Sequence, residues 1–154
     1  MGRAAGERGE GPVDGVELQG VEASHSPQAV LDAIADARAV ILGPSNPVIS
    51  VRTILEVPGI SEALRATAAP VVAVSPIVGG EVLKGPTEAF MTWAGLPASA
   101  AGTARAYDGL LDGMVADEAV EDLPTLEADT LMADAASRRR VAEDVLRFAE
   151  SLRR

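Results

Sequence analysis

The stretch Ala39-Val40-Ile41-Leu42-Gly43-Pro44-Ser45-Asn46-Pro47 decides how this sequence reads. Its four apolar residues do not alternate with polar ones, and they are too few for a helix. Closed by Gly-Pro, such a run suits a strand covered on both faces in a parallel sheet. The pattern returns at Val71-Val72-Ala73-Val74, which runs into Ser75-Pro76 and then Gly79-Gly80.

Outward from these two runs the chain alternates strand and helix. Val13 to Val21 alternates loosely and is expected as a half-exposed strand. A helix should follow, with Ser26 as N-cap, Pro27 at its first position, and Val30, Leu31 and Ile34 as an apolar stripe. Ser50 to Val57 and Ile60 to Ala68 read as helices, as do Pro86 to Trp93 and Ser99 to Tyr107. Gly113 to Asp117 and Thr125 to Met132 are candidate strands. Val141, Val145, Phe148 and Leu152 mark a final helix, with Asp134 or Ser137 as its cap. This alternation predicts an α/β fold, a three-layer sandwich with a mainly parallel, Rossmann-like sheet. Residues 1–12 read as a flexible lead-in and 13–154 as the folded part.

Composition narrows the chemistry. A chain of 154 residues can bury roughly 70% of its unfolded surface without a staple. With no Cys and one His, thiol chemistry and Cys- or His-based metal clusters are excluded. A net charge of -10 argues against nucleic-acid binding, which needs a basic face, and fits a cytoplasmic protein. The most apolar stretch, Ala68 to Gly80, is broken by prolines and falls far short of the ~20 residues of a membrane span.

Ligands of open α/β sheets bind beyond the carboxyl ends of the strands, so the two loops after the buried runs are the candidate site. Gly43-Pro44-Ser45-Asn46-Pro47 combines close backbone approach with uncharged donors and acceptors. The helix starting near Ser50 would offer free amides to a phosphate; the same loop also reads as a rigid turn bonded to itself. In the second loop, Gly79-Gly80 could form an anion-binding nest. Lys84, the only lysine, could meet a phosphate there or could be a solvated surface charge. Neither loop is a P-loop or a GxGxxG fingerprint.

The strings ILGPSNPVISVRTILEVPGISEALR and APVVAVSPIVGGEVLKGPTEAF, followed by ARAYDGLLDGMVADE, closely resemble the 2-phospho-L-lactate transferase family. Some lineages of that family use a phosphoenolpyruvate donor. The resemblance implies a Mg²⁺-assisted transfer in coenzyme F-420 biosynthesis. The ribityl hydroxyl of a 5-deazaflavin precursor attacks a guanosine-diphosphate-linked three-carbon acid, and GMP leaves. It implies that Gly43, Ser45, Asn46, Pro47, Gly79, Gly80, Lys84 and Gly85 line the substrate cleft, and it assigns no catalytic residue. It leaves a homodimer open and calls for neither a nucleic acid nor a membrane. Family members are about twice this length and begin with a strand, a GGxGG-type turn and acidic metal ligands, none of which occurs here. The chain is therefore expected to correspond to the C-terminal half, with a sheet incomplete at its N-terminus, no metal ligands and no activity alone. A related branch of the fold comprises nucleotide-sugar-binding regulators; it carries a loop resembling GPGSLYTS where this chain has GPSNPVIS. A dimerisation remnant without a ligand is a third reading.

Other polar residues read as surface. His25 is expected to face solvent. The acidic run Asp117, Glu118, Glu121 and Asp122 lacks EF-hand spacing and reads as a solvated face. Arg138-Arg139-Arg140 could pair with nearby acids or hold a phosphate. Phe90 and Trp93 read as core or interface.

Overall fold

A computed structural model describes residues 12–82, 85–107 and 109–153. Four strands form a parallel sheet in the order β1 (Val40–Leu42), β2 (Val71–Val74), β5 (Gly113–Ala116) and β6 (Thr125–Glu127). A two-stranded antiparallel hairpin, β3 (Ile77–Val78) with β4 (Glu81–Val82), projects beyond β2. The helices are α1 (Gln28–Ala35), α2 (Arg52–Leu55), α3 (Ile60–Ala66), α4 (Thr87–Trp93), α5 (Ala100–Ala106) and α6 (Ala135–Ser151).

Side-chain alternation along the two central strands divides the core. Val72, Val74 and Val115 face α6, meeting Val141, Val145 and Ala149. Ala73, Met114 and Ala116 face the opposite way, toward Val51, Ala100 and Tyr107, while Val71 packs with Ile60 and Leu64 of α3. Helices therefore cover both faces, and the fold is the expected α/β three-layer arrangement. On the α6 face Gly113 has no spare room: a Cβ there would stand 2.7 Å from Leu152 and 2.8 Å from Phe148. The α6 cap is now decided. Asp134 accepts from the Ser137 N–H (2.7 Å) and its own N–H donates to the Ser137 hydroxyl (3.0 Å). The Ser137 N–H and the Ser137 hydroxyl, each donating to Asp134 Oδ1 (2.7 Å), hold the Asp134 carboxyl below its usual range.

Several local expectations fail, each for a physical reason. Val13 to Val21 is not a strand: among the described residues no strand pairs with it, and Gly20, at φ 80, turns the chain into a short 3-10 turn at Val21–Ala23. Ser26 does not cap α1; its hydroxyl donates instead to the Pro58 carbonyl (2.7 Å), and Pro27 takes the cap position. The apolar stripe of α1 reduces to Leu31 and Ile34, which meet the α3 cluster, while Val30 is exposed. The strand expected to be buried on both faces is an edge strand with Ile41 38% exposed, because α6 does not extend over β1. Thr125 to Met132 stays in the sheet only to Glu127. Beyond it, the Asp129 carboxylate accepts from the Leu131 N–H (2.8 Å) and from Arg140 (3.2 Å), turning the chain out of the ladder. Apart from Pro12, the expected lead-in lies outside the described residues.

Helix α5 is fixed at its start by Ser99, which accepts from the Gly102 N–H (3.1 Å). Gly102 is buried, and a Cβ there would overlap the Pro97 carbonyl oxygen, a backbone atom that cannot swing aside. Gly102→Ala is expected to destabilise the fold by about 3 kcal/mol, lowering the melting temperature by about 6 °C or more in a thermal scan.

Candidate functional site

Because β1, β2 and β5 are parallel, their carboxyl ends share one side of the sheet, and the loops leaving them meet there. Asn46 organises the first loop. Its Oδ1 accepts from the N–H groups of Val48 (2.9 Å) and Ile49 (3.1 Å), and its carbonyl accepts from Ser50 and Val51, both at 3.1 Å. The bond to Val51 spans five residues, so Pro47–Val51 is a wide π-type turn leading into α2. Asn46 Nδ2 donates to Thr87 Oγ1 (3.3 Å), tying this loop to the first residue of α4. The helix expected near Ser50 thus begins earlier. Its leading amides are satisfied by Asn46, and Pro47 contributes none.

The second loop is equally self-contained. Buried Ser75 accepts from the Ile77 N–H and donates to the Ile77 carbonyl, both at 3.1 Å. Gly79 and Gly80 have φ values of 62 and 74. Two successive left-handed residues form a type I′ hairpin turn, whereas a nest alternates its hands. The Gly79 N–H donates to the Asp117 carboxylate. Asp117 is thus a tether rather than a solvated acid. Glu118 likewise accepts from the Ala100 N–H at the start of α5 (2.7 Å).

Between the loops opens a cavity of about 600 Å³, within the range of small-molecule sites. Of the residues singled out in the sequence, Asn46 and Gly85 line it, with Gly85 at φ 72. Pro47 is buried beside it, while Gly43 and Ser45 are exposed at the loop's turn, where the Ser45 N–H donates to the Gly43 carbonyl (2.8 Å). Gly79 and Gly80 lie outside it; Gly80 lines a smaller hollow with Glu81 and Glu88. Lys84 lies outside the described residues. The sequence reading misses Thr87 and the far wall, Thr130 to Ala133, of which Thr130 to Met132 were expected to be strand. Thr130 is buried, and its hydroxyl has no hydrogen-bond partner. No described lining residue carries a charge. Among the described residues no group of three or more His, Asp or Glu could hold a metal ion, so these residues do not by themselves fit the Mg²⁺ that the resemblance implies.

The remaining surface candidates resolve as structure. Arg139 pairs with Glu143 (2.8 Å), Arg140 with Asp129 (3.2 Å), and Arg138 donates to the Asp134 carbonyl (3.1 Å). His25 is exposed, Phe90 is half-buried and Trp93 is exposed. No helix among the described residues is long and apolar enough to cross a membrane.

A parallel sheet flanked by helices, with a neutral cavity at the carboxyl ends of its strands, defines an α/β protein of the Rossmann-like kind. Residues 4–150 match the family described as 2-phospho-L-lactate transferase CofD, and the chain belongs to that family. It is 42% identical over 139 residues to 2-phospho-L-lactate transferase of Haloarcula marismortui, covering 88% of this chain and 41% of the relative. It is 40% identical over 151 residues to the Methanosarcina mazei protein of the same name, covering 92% and 49%. It is 35% identical over 152 residues to phosphoenolpyruvate transferase of Streptomyces coelicolor, covering 92% and 48%. The chain thus spans about half the length of the curated relatives it matches.

An unpartnered buried hydroxyl costs stability unless a ligand satisfies it. Thr130→Val is therefore expected to leave the melting temperature unchanged or raise it. Asn46→Ala, which strips three side-chain hydrogen bonds, should cost about 1–2 kcal/mol. Thermal denaturation of the two variants checks both.

Proposed function

We propose that this chain is one half of a transferase in coenzyme F-420 biosynthesis. The enzyme moves a phospholactyl or phosphoenolpyruvyl group from a guanosine-diphosphate-linked donor to the ribityl hydroxyl of a 5-deazaflavin precursor. The observation that carries this reading is the convergence of the GPSNP loop and the SP…GP loop, the stretches that resemble the family, on one cavity. In the transfer, the hydroxyl oxygen bonds to the phosphorus bearing the three-carbon acid. The bond from that phosphorus to the departing GMP oxygen breaks, and the hydroxyl gives up its proton.

This chain's part is binding and orientation. Pro44, Ile49, Val78, Leu131 and Met132 supply an apolar wall, with Asn46, Ser50, Thr87 and Thr130 as neutral polar groups. Such a surface suits the flat ring and the uncharged ribityl portion of the acceptor better than a diphosphate. It would also hold water away from the attacking hydroxyl. The charges needed to neutralise phosphates are absent from the described lining. We assign them, together with the Mg²⁺ ligands, to the part of the relatives' length that this chain does not cover. The β1 edge supports that division: Val40-Ile41-Leu42 carries none of the charges that block strand pairing. The ladder bond from Val40 N–H to Pro70 C=O (2.9 Å) implies, by the alternation of a strand, that the N–H and C=O of Ile41 point away from β2.

The test is a fluorescence titration of the 5-deazaflavin precursor into the purified chain, with GMP release assayed in the presence of donor and Mg²⁺. Saturable binding, weakened by Thr130→Val, without GMP release is expected. Binding of a UDP-sugar with no response to the deazaflavin would favour a regulator of the related branch instead. Turnover by the chain alone would contradict the half-site reading.

A further inference from the structure

The far wall of the cavity between the two loops, residues 130–133, lies between the end of β6 and the capping residue of α6. The last ladder bond before it runs from the Ala128 N–H to the Ala116 carbonyl (2.8 Å). Among the described residues, the main chain of 130–133 then makes a single hydrogen bond, from the Leu131 N–H to the Asp129 carboxylate (2.8 Å), and none to another element. Backbone bonds therefore do not hold this wall. Its place rests on the packing of Thr130 and Met132 and on side chains at its two ends.

One end is the Asp134–Ser137 box that starts α6. At the other stands Arg140. Its Nη1 donates to the Asp129 carbonyl (2.6 Å) and its Nη2 to the Asp129 carboxylate (3.2 Å), so one planar fork grips main chain and side chain together. The base of that fork is rigid, because the adjacent Val141 is buried in the core under α6. Asp144, one turn on and itself paired with Arg147 (2.6 Å), lies 4.0 Å from Arg140 Nη1. Arg140 lines no part of the cavity.

We propose that Arg140 is a positioning residue of the ligand site: its grip on Asp129 places 130–133 as the far wall, and it thereby sets ligand affinity without touching the ligand. The inference rests on the transferase reading only for the choice of ligand. A guanidinium suits this task better than an ammonium, since two donors at a fixed spacing define a direction as well as a distance. An exposed ion pair contributes little to global stability. Its loss therefore releases the wall and leaves the fold in place.

Methionine-methyl NMR of the intact chain, paired with fluorescence titration of the 5-deazaflavin precursor, tests this. Met132 reports on the wall, while Met91 and Met114, fully buried in the core, serve as internal references. Arg140→Ala is expected to shift the Met132 signal, leave those of Met91 and Met114 in place, and keep the melting temperature within about 3 °C of the wild type. The Kd for the precursor should rise about threefold or more. Arg140→Lys, which keeps the charge and loses the fork, should place the Met132 signal between the two. Arg139→Ala removes the same charge from the same helix but breaks only the exposed pair with Glu143 (2.8 Å), and should change neither signal nor affinity. An unmoved Met132 signal in Arg140→Ala, or an equal shift in Arg139→Ala, would overturn the proposal. So would unchanged affinity, or a shift of all three methionines, which would mark a general loosening of the fold. Failure of the wild-type chain to bind the precursor, with Met132 moving as expected, would remove the transferase reading and leave the placement of the wall by Arg140 standing.

Discussion

Between Val71 and Asp112 the chain bonds twice, the Val71 N–H to the Asp112 carboxylate and the Asp112 N–H to the Val71 carbonyl, each at 2.8 Å. From that clamp β2 and β5 run side by side, and Val72, Ala73, Met114, Val115 and Ala116 lose all exposure to solvent. Each of the larger side chains contributes on the order of 1.5–3 kcal/mol by burial. The contribution comes from both faces, so α6 on one side and α3 and α5 on the other depend on this pair. A parallel pair buried in this way must send its connections out at the strand ends. That constraint, more than any single loop residue, sets where a ligand can be met.

The loops at the carboxyl ends spend their polar groups on each other. Asn46 satisfies the start of α2 and reaches Thr87, while Ser75 and Asp117 hold the hairpin. Loops bonded in this way are fixed before a ligand arrives, which lowers the ordering cost of binding. What remains facing the cavity is apolar surface, neutral hydroxyls and the unpaired oxygen of Thr130. The same economy explains the division of labour proposed here. A wall without charge can orient a substrate, but it cannot neutralise a phosphate.

The fold class was legible because continuous apolar runs ended by Gly-Pro and Ser-Pro have few other uses, and because α6 repeats at helical spacing over its whole length. Exposure and edge position were not. Nothing in Val40-Ile41-Leu42 distinguishes a central strand from the edge strand that it forms among the described residues. The two loops were legible as a pair, since each follows a strand in the same parallel sheet. The far wall was hidden. Thr125 to Met132 has a strand-like composition, and the bonds that Asp129 accepts, a local one from the Leu131 N–H and a tertiary one from Arg140, turn Thr130 into the cavity. Gly79-Gly80 was ambiguous for a related reason. A glycine pair permits either a nest or a type I′ turn, and the pairing of Ile77 with Val82 selects the turn.

The proposed function requires that residues 44–50, 75–78 with 85–87, and 130–133 form one ligand surface. Amide hydrogen exchange of the chain with and without the 5-deazaflavin precursor tests it most directly. The account predicts increased protection in all three segments together, with the α6 amides unchanged. Protection confined to one segment, or appearing elsewhere while these three stay unchanged, would contradict it.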